Sequence, residues 1–237
     1  RIPGKEFSYG RALNIGAEAA KGRVILNLSA HAVPVDNRWL ISLVQEVTSP
    51  GVAGVYGRQL SSGNVNPFDA CRNESFFGTS ANRFNKRNRK ALRHIHFSNS
   101  NCALRRDVWR QFKFDEDVAY AEDILWQRAV VSAGYTIVYA PAAAVYHTHP
   151  VSLQSAFRNS RSCSSAMASV TRKRHSKLLI FYDSAVFLTM ILSGLYCNLS
   201  YILKNKHFDF LKIAPVYVLT ERLGWLVGRI SYRMARA

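Results

Sequence analysis

Val24-Ile25-Leu26-Asn27-Leu28 is an apolar run that ends in the more polar segment Ser29-Ala30-His31. A helix is predicted directly ahead of it, because small side chains share one helical face and Gly22 supplies a stop signal. Those face residues are Ala12, Gly16, Ala17 and Ala20. A helix that leads into a continuously apolar strand is typical of α/β sheets, whose central strands are covered on both faces. The segment therefore predicts an α/β fold with this strand at its centre.

Helix-like and strand-like signals continue to alternate through residues 8–134. Helices are predicted near residues 38–46, 106–111 and 121–133, and strands at 52–56 and 136–139. The intervening residues 57–94 carry polar loop signals and the basic run from Arg83 to Arg93. We interpret residues 57–94 as a mobile insertion over a site.

The composition indicates a folded protein with an anionic partner. The 237 residues are 48% hydrophobic and 20% charged, which lies inside the globular range. Thirty-two Lys and Arg against fifteen Asp and Glu leave a formal charge of +17. Such a charge suits nucleic acid, an anionic bilayer surface or phosphorylated small molecules, and charge alone does not choose among them.

The cysteines and the first residues suggest a cytoplasmic setting. Cys71, Cys102, Cys163 and Cys197 form no C-x-x-C pair, so free thiols in a reducing compartment are expected. Residues 1–6 show no charged-then-apolar leader, and no secretory signal is predicted.

The last third of the chain is both apolar and basic. Leu178 to Leu203 contains one ionised residue, Asp183, and has basic residues on both sides. Its length suits a spanning helix, but Asp183, Asn198 and several hydroxyl groups favour helices that lie in the bilayer interface. An amphipathic segment at 219–232 follows, and buried core helices are the alternative interpretation for both segments.

Two pairs of residues carry the chemistry. Glu122-Asp123 opens a predicted helix, where Asp123 could act as a base or both acids could simply favour the helix dipole. His147 and His149 lie two apart in a predicted extended segment, so both imidazoles face one side. They could share a metal ion or a phosphate group, or form an ordinary hydrogen-bonded pair.

The order of these motifs resembles the inverting family 2 glycosyltransferases, and in particular bacterial rhamnosyltransferase-like polysaccharide transferases. The matching stretches are Phe7-Ser8-Tyr9-Gly10-Arg11-Ala12-Leu13-Asn14, the strand at 24–28, Ala121-Glu122-Asp123, and Tyr139-Ala140-Pro141 leading to His147. The resemblance covers roughly residues 5–160. It implies a GT-A-like mixed sheet flanked by helices, and it predicts that the base-binding and ribose-binding part of such a domain is missing before Phe7.

The resemblance also assigns the catalytic and metal roles. Asp123 would be the general base beside Glu122, His147 the metal ligand, and His149 a second candidate. His31 occupies the place of the family's D-x-D motif, which is the sharpest departure from the pattern. Since imidazole suits softer ions than magnesium, His31 would favour Mn²⁺ over Mg²⁺ or contact the diphosphate directly, and a metal-independent variant stays open.

Six further residues receive roles by resemblance, each beside a structural alternative. Arg11 and Asn14 would lie near the nucleotide or form a surface pair. Arg158 and Arg161 would lie over the diphosphate or be ordinary surface arginines. Asn101 and Trp126 would contact the acceptor, or be a turn residue and a core aromatic.

These interpretations combine into one expected function. Residues 1–165 would form the catalytic domain and 166–237 a helical membrane-associating region on the cytoplasmic face of the cell membrane. The protein would move a sugar from a nucleotide-sugar donor to a lipid-linked or growing saccharide acceptor. The rivals are a noncatalytic membrane-associated relic and a nucleic-acid-binding module; the second lacks a recognised motif beside the basic run, and no nucleic-acid partner is expected.

Overall fold

The chain divides into two compact units. The computed structural model describes residues 2–87, 97–170 and 177–234. The first unit contains residues 1–61 and 72–148, and the second contains 62–71 and 149–237. The predicted boundary after residue 165 falls inside a helix of the second unit, and the division of function at that point stays a prediction.

A mixed sheet forms the centre of the first unit, as the resemblance implied. Its strand order is β1-β5-β3-β6-β2, and a short strand, β4, also pairs with β6. The strands are β1 (Val24–Leu28), β2 (Val33–Pro34), β3 (Val52–Leu60), β4 (Asn82–Phe84), β5 (Asn101–Arg105) and β6 (Thr136–Tyr146). β3 and β6 run parallel, whereas the other pairs are antiparallel.

Helices cover both faces of this sheet. They are α1 (Tyr9–Ala19), α2 (Trp39–Val47), α4 (Arg106–Gln111) and α5 (Glu122–Ser132), while α3 (Pro67–Phe76) runs from the second unit into the first. Alternate residues of β5 and β6 enter two different apolar clusters, as the two-residue period of a strand requires. Trp109 and Trp126 anchor one cluster, and Leu43 and Val47 of α2 anchor the other. The four cysteines are free thiols, as predicted.

The position of β1 corrects one prediction. Among the described residues β1 pairs only with β5, so it lies at the edge of the sheet and not at its centre. Leu26 and Leu28 are each 40% exposed on the same face. An apolar run shows that a strand can be covered on its faces, but it carries no information about whether both edges are paired.

The predicted insertion at 57–94 also differs from the structure. β3 continues to Leu60, α3 follows, and β4 pairs with β6 through Asn82–Phe84. This part therefore belongs to the sheet and its helices. Arg83, at the start of the basic run, pairs with Glu46 at 3.0 Å. Residues 88–93 of that run lie outside the described residues.

A β-bulge shapes the end of the sheet that carries the site. The pairing of β3 with β6 shifts between Gly57 and Gln59, where β6 contains extra residues that include Pro141. A Cβ at Gly57 would collide with the carbonyl oxygen of Ala143, so only glycine admits this close approach. The Nδ2 of Asn101 donates to that same oxygen at 2.8 Å and fixes the bulge.

The second unit is mainly helical. It contains α6 (Leu153–Val170), α7 (Lys177–Lys204) and α8 (Ala214–Met234). Gly224 and Gly228 of α8 leave no room for a Cβ, because the carbonyl oxygens of Phe157 and Arg161 on α6 lie against them. Small residues four apart thus let the two helix backbones approach closely.

One stretch of α7 has the length and composition of a membrane span. Val186–Lys204 is apolar and 11% of it is buried, although length and composition alone are weak support for a span. Gly194, Asn198 and Ile202 form its buried row. Four large apolar side chains on α7 are exposed, and we name them the α7 stripe: Leu188, Leu192, Tyr196 and Leu203.

Candidate active site

Three strands of the first unit end at the same edge of the sheet. β1 and β3 are both antiparallel to β5, and β6 is parallel to β3, so the carboxyl ends of β1, β3 and β6 coincide. His31 follows β1, Gln59 lies near the end of β3, and His147 follows β6. This is the edge at which α/β sheets place their ligands.

The carboxyl pair opens α5 at this edge. Ala121 turns the chain with a φ of 68°, and Glu122 and Asp123 follow as the first helical residues. The loop residue Asn99 contacts both acids, since its backbone N–H donates to Asp123 Oδ2 at 3.4 Å and its Nδ2 donates to Glu122 Oε1 at 3.2 Å. The backbone N–H of Ile124 donates to the other oxygen of Asp123 at 2.8 Å. The pair is therefore held in one orientation.

Burial sets the protonation of this pair. It raises the pKa of Asp123 to about 7, with the neighbouring charge of Glu122 as the second cause. Burial also raises the pKa of Glu122, although the hydrogen bond from Asn99 acts to lower it. Acids whose only role was to interact with the helix dipole would be exposed, and their pKa values would be ordinary. A carboxyl group that titrates near neutrality is suited to accept a proton from a substrate.

Asn99 joins this pair to the sheet. Its Oδ1 accepts from Asn27 Nδ2 at 3.3 Å and lies 3.6 Å from the Sγ of Cys102. Burial, followed by the charge of Asp123, raises the pKa of the Cys102 thiol, which therefore stays neutral. No pattern in the sequence indicated that this amide bridges both acids.

Two imidazoles stack at the same edge. The rings of His31 and His147 lie 4.5 Å apart with an angle of 28° between their planes, and each offers a nitrogen within 4.8 Å of the other. His147 is buried, and its Nδ1 lies 2.7 Å from Gln59 Oε1. Because an amide oxygen accepts hydrogen bonds, the neutral ring in this contact would carry its hydrogen on Nδ1, with Nε2 as the nitrogen able to bind a metal.

Gln59 is a candidate site residue that the sequence interpretation missed. A polar side chain near the carboxyl end of an otherwise apolar strand was the available signal. Oriented imidazoles with a second-sphere acceptor are typical of metal ligands. His31 and His147 can therefore hold a divalent ion, and a nitrogen-rich donor set fits Mn²⁺ better than Mg²⁺.

His149 belongs to the second unit and is the first residue of its 149–237 segment. There its Nδ1 lies 3.6 Å from the Oδ2 of the buried Asp69, an ion pair when the imidazole is protonated. Its carbonyl oxygen accepts from Asn66 Nδ2 at 3.0 Å. The chain places it two residues beyond His147.

Comparison with known proteins gives the chain its family. The family model described as "Glycosyltransferase like family 2" matches residues 3–162, which include the carboxyl pair and both stacked imidazoles. The chain belongs to this family. As a family 2 glycosyltransferase-like chain it has the fold that its motifs predicted.

Its curated relatives are O-antigen enzymes of Salmonella. The O-antigen chain rhamnosyltransferases RfbN of Salmonella typhimurium and WbaN of Salmonella anatum are each 30% identical over 152 residues. The match covers 62% of this chain and 48% of each relative, so the chain spans about half the length of the curated relatives it matches.

A solved structure shows the same fold. The mannosyltransferase PcManGT from Pyrobaculum calidifontis, determined in complex with GDP-Man and Mn²⁺, is 14% identical with a TM-score of 0.57. The alignment covers 97% of this chain and 68% of that one. The GT-A-like fold expected from the sequence is confirmed.

Within this family 2 chain, α1 does not present Asn14 to a ligand. Asn14 is buried, its Nδ2 donates to Phe114 O at 2.9 Å and to Glu116 Oε1 at 2.8 Å, and its Oδ1 accepts from Trp109 Nε1. Arg11 pairs with Glu6 at 3.0 Å on the surface. The structural alternative, a surface pair with Arg11, is wrong for Asn14, because its amide is buried and engaged within the protein.

Asn101 and Trp126 likewise have structural roles. Asn101 is fully buried, accepts from Trp39 Nε1 at 2.7 Å and donates to the bulge. Trp126 is buried in the aromatic core, and its Nε1 donates to Phe112 O at 2.6 Å. Neither side chain reaches the surface where an acceptor would bind, so their predicted acceptor role is replaced by packing.

Arg158 and Arg161 lie on α6 of the second unit, three residues apart and both exposed. Both arginines therefore lie on the exposed side of a helix. Two exposed guanidinium groups one turn apart suit an anionic ligand and equally a solvated helix face.

Proposed function

We propose that this chain carries the catalytic base of an inverting glycosyltransferase and the histidines that face the diphosphate of the donor. The enzyme would act in cell-surface polysaccharide synthesis. The observation that carries the proposal is the buried Glu122–Asp123 pair, oriented by Asn99, with the pKa of Asp123 raised to about 7. A base that is half ionised near neutral pH is matched to deprotonating an alcohol in the transition state.

The reaction would be a single displacement. Asp123 takes the proton of the acceptor hydroxyl while that oxygen attacks the anomeric carbon of the donor sugar. The bond from this carbon to the diphosphate oxygen breaks on the opposite face, so the configuration inverts and the nucleoside diphosphate leaves. The proton on Asp123 then passes to solvent.

His31 and His147 would hold a divalent ion, and His149 is a further candidate ligand. A bound divalent ion supplies positive charge for the leaving diphosphate. Gln59 keeps the Nε2 of His147 available for this purpose. Arg158 and Arg161 are proposed as additional cationic contacts for the anionic donor, on the strength of their charge and exposure.

The names of the relatives support a proposal for the donor and the acceptor. Both curated relatives are named O-antigen chain rhamnosyltransferases, so we propose a deoxyhexose donor linked to a nucleotide and a lipid-linked or growing saccharide acceptor. The activity of the whole protein is part of the proposal, because the chain covers about half of each relative.

The location is proposed to be the cytoplasmic face of the membrane. The formal charge of +17 and the exposed α7 stripe suit helices that lie on an anionic bilayer.

The decisive experiment replaces the base in the full-length gene product that carries these residues. Asp123→Asn should lower kcat by roughly 100-fold or more, with an unchanged circular dichroism spectrum. Asp107→Asn, at an exposed acid of α4, is the matched control and should leave kcat unchanged. Normal turnover by Asp123→Asn would remove Asp123 from the mechanism. No transfer by the unaltered protein would favour the noncatalytic relic.

A further inference from the structure

Three aromatic side chains form a chain of edge-to-face contacts on the surface of the first unit. The ring centroids of Phe7 and Tyr9 lie 5.4 Å apart at 73°, and those of Tyr9 and Tyr120 lie 6.4 Å apart at 90°. Phe7 is 51% exposed and Tyr9 is 50% exposed. We name these three residues the aromatic platform. Tyr120 is partly buried, and the three rings lie outside the described core clusters, so together they form a contiguous aromatic patch of the kind that marks interaction sites.

The aromatic platform lies close to the proposed base. Tyr120 is followed directly by Ala121, Glu122 and Asp123. The three residue steps from Tyr120 to Asp123 span at most about 11 Å. The left-handed turn at Ala121 shortens that path further, because an extended chain is excluded there. A saccharide of a few units is long enough to span this distance.

Two contacts join α1 to the loop that precedes Tyr120. Gly10 of α1 lies so close to the carbonyl oxygen of Asp115 that a Cβ there would collide with it. Asn14 binds Phe114 O and the side chain of Glu116. The loop that leads to Tyr120 is thus fastened to the helix that begins with Tyr9.

The surrounding charge selects the kind of ligand. Three consecutive acids, Asp115, Glu116 and Asp117, are exposed in the loop before Tyr120. Carboxylates repel diphosphates and anionic lipids, but they accept hydrogen bonds from hydroxyl groups. An aromatic face packs well against the C–H face of a sugar ring. The combination fits a neutral saccharide and disfavours the nucleotide end of a donor.

We propose that the aromatic platform of Phe7, Tyr9 and Tyr120 is the binding subsite for the saccharide acceptor, next to the hydroxyl that Asp123 deprotonates. This proposal rests on the proposed function and supplies the acceptor contacts that neither Asn101 nor Trp126 can make. The rings would stack on sugar units, and the loop acids would bind their hydroxyl groups.

The test measures saccharide binding without a donor, so it does not depend on turnover. The 237-residue chain is mixed with short oligosaccharides released by mild acid from O-antigen polysaccharide, and binding is read by saturation-transfer NMR. Tyr9→Ala and Tyr120→Ala should each weaken binding roughly fivefold, whereas Tyr9→Phe and Tyr120→Phe should retain it, because stacking needs the ring and not the hydroxyl.

Two controls separate this proposal from the proposed function. Phe76→Ala removes another exposed ring of the same unit and should leave binding unchanged. Asp123→Asn should also retain binding, whether or not Asp123 proves to be the base. Unchanged binding in the Tyr9→Ala/Tyr120→Ala double variant would overturn the proposal, as would the absence of saccharide binding by the unaltered chain. A change confined to self-association would identify the aromatic platform as a protein interface and also overturn it.

Discussion

The Nδ1 of His147 lies 2.7 Å from the Oε1 of Gln59, and this contact decides which imidazole nitrogen faces a ligand. An acceptor beside Nδ1 favours the tautomer with the hydrogen on that nitrogen, in which Nε2 is the nitrogen able to bind a metal. The ring of His31 stacks on the same imidazole. The strand residue Gln59 thus controls the chemistry of a residue 88 positions later in the chain.

The first prediction concerns this contact. Gln59→Leu should weaken the binding of Mn²⁺ to the chain by about 10- to 100-fold, because the ring loses its orienting acceptor. Gln59→Glu keeps an acceptor and should retain binding. Gln45→Leu, at an exposed glutamine of α2, is the control and should bind Mn²⁺ normally. Paramagnetic titration by electron spin resonance measures all four proteins, and equal affinities would remove Gln59 and His147 from the metal site.

The second prediction concerns pH. Asp123 must be ionised to act as a base, and its pKa is raised to about 7, so kcat/KM should rise with pH through about 7 and level off above it. Glu122→Gln removes one cause of that shift while keeping an oxygen for Asn99. The rising limb should therefore move to lower pH. A limb that stays in place would show that a group other than Asp123 controls the profile.

Sequence patterns predicted much of this fold for a physical reason. Helix and strand periodicity is local, so α4 was predicted at its observed bounds and α5 within one residue at each end. Sheet order is not local, and β1 was wrongly placed at the centre. The acids and histidines were recognisable because their residue types carry chemistry. The roles of Asn14, Asn101 and Trp126 depend on partners distant in sequence, which no spacing pattern reveals.

The third prediction concerns stability at the β-bulge. Gly57→Ala should lower the free energy of unfolding by roughly 2 to 3 kcal/mol, because the new Cβ meets the Ala143 carbonyl and the Asn101 amide. Gly16→Ala is the matched control. It lies inside α1 with nothing within 4 Å of its Cβ position, and should raise stability by about 0.5–1 kcal/mol. Urea unfolding distinguishes the two, and equal effects would contradict the role given to Gly57.

The fourth prediction concerns the membrane. The chain should sediment with vesicles that contain anionic lipid and be released by salt, since each basic residue near the surface contributes roughly 1 kcal/mol. Leu192→Asp, within the α7 stripe, should weaken binding. Ile15→Asp places the same change at an exposed apolar site of the first unit and should not. Retention through high salt would instead indicate a spanning helix, and a chain that ignores such vesicles would contradict the proposed location.

The open edge of β1 has a consequence for handling the protein. Among the described residues its outer backbone groups pair with no strand, and Leu26 and Leu28 are exposed beside them. An edge strand with apolar side chains is a template for adding a further strand. When these 237 residues are studied alone, copies of the chain can pair in register through this edge. Aggregation should therefore increase with protein concentration. A strand that pairs with this edge should therefore reduce self-association of the chain.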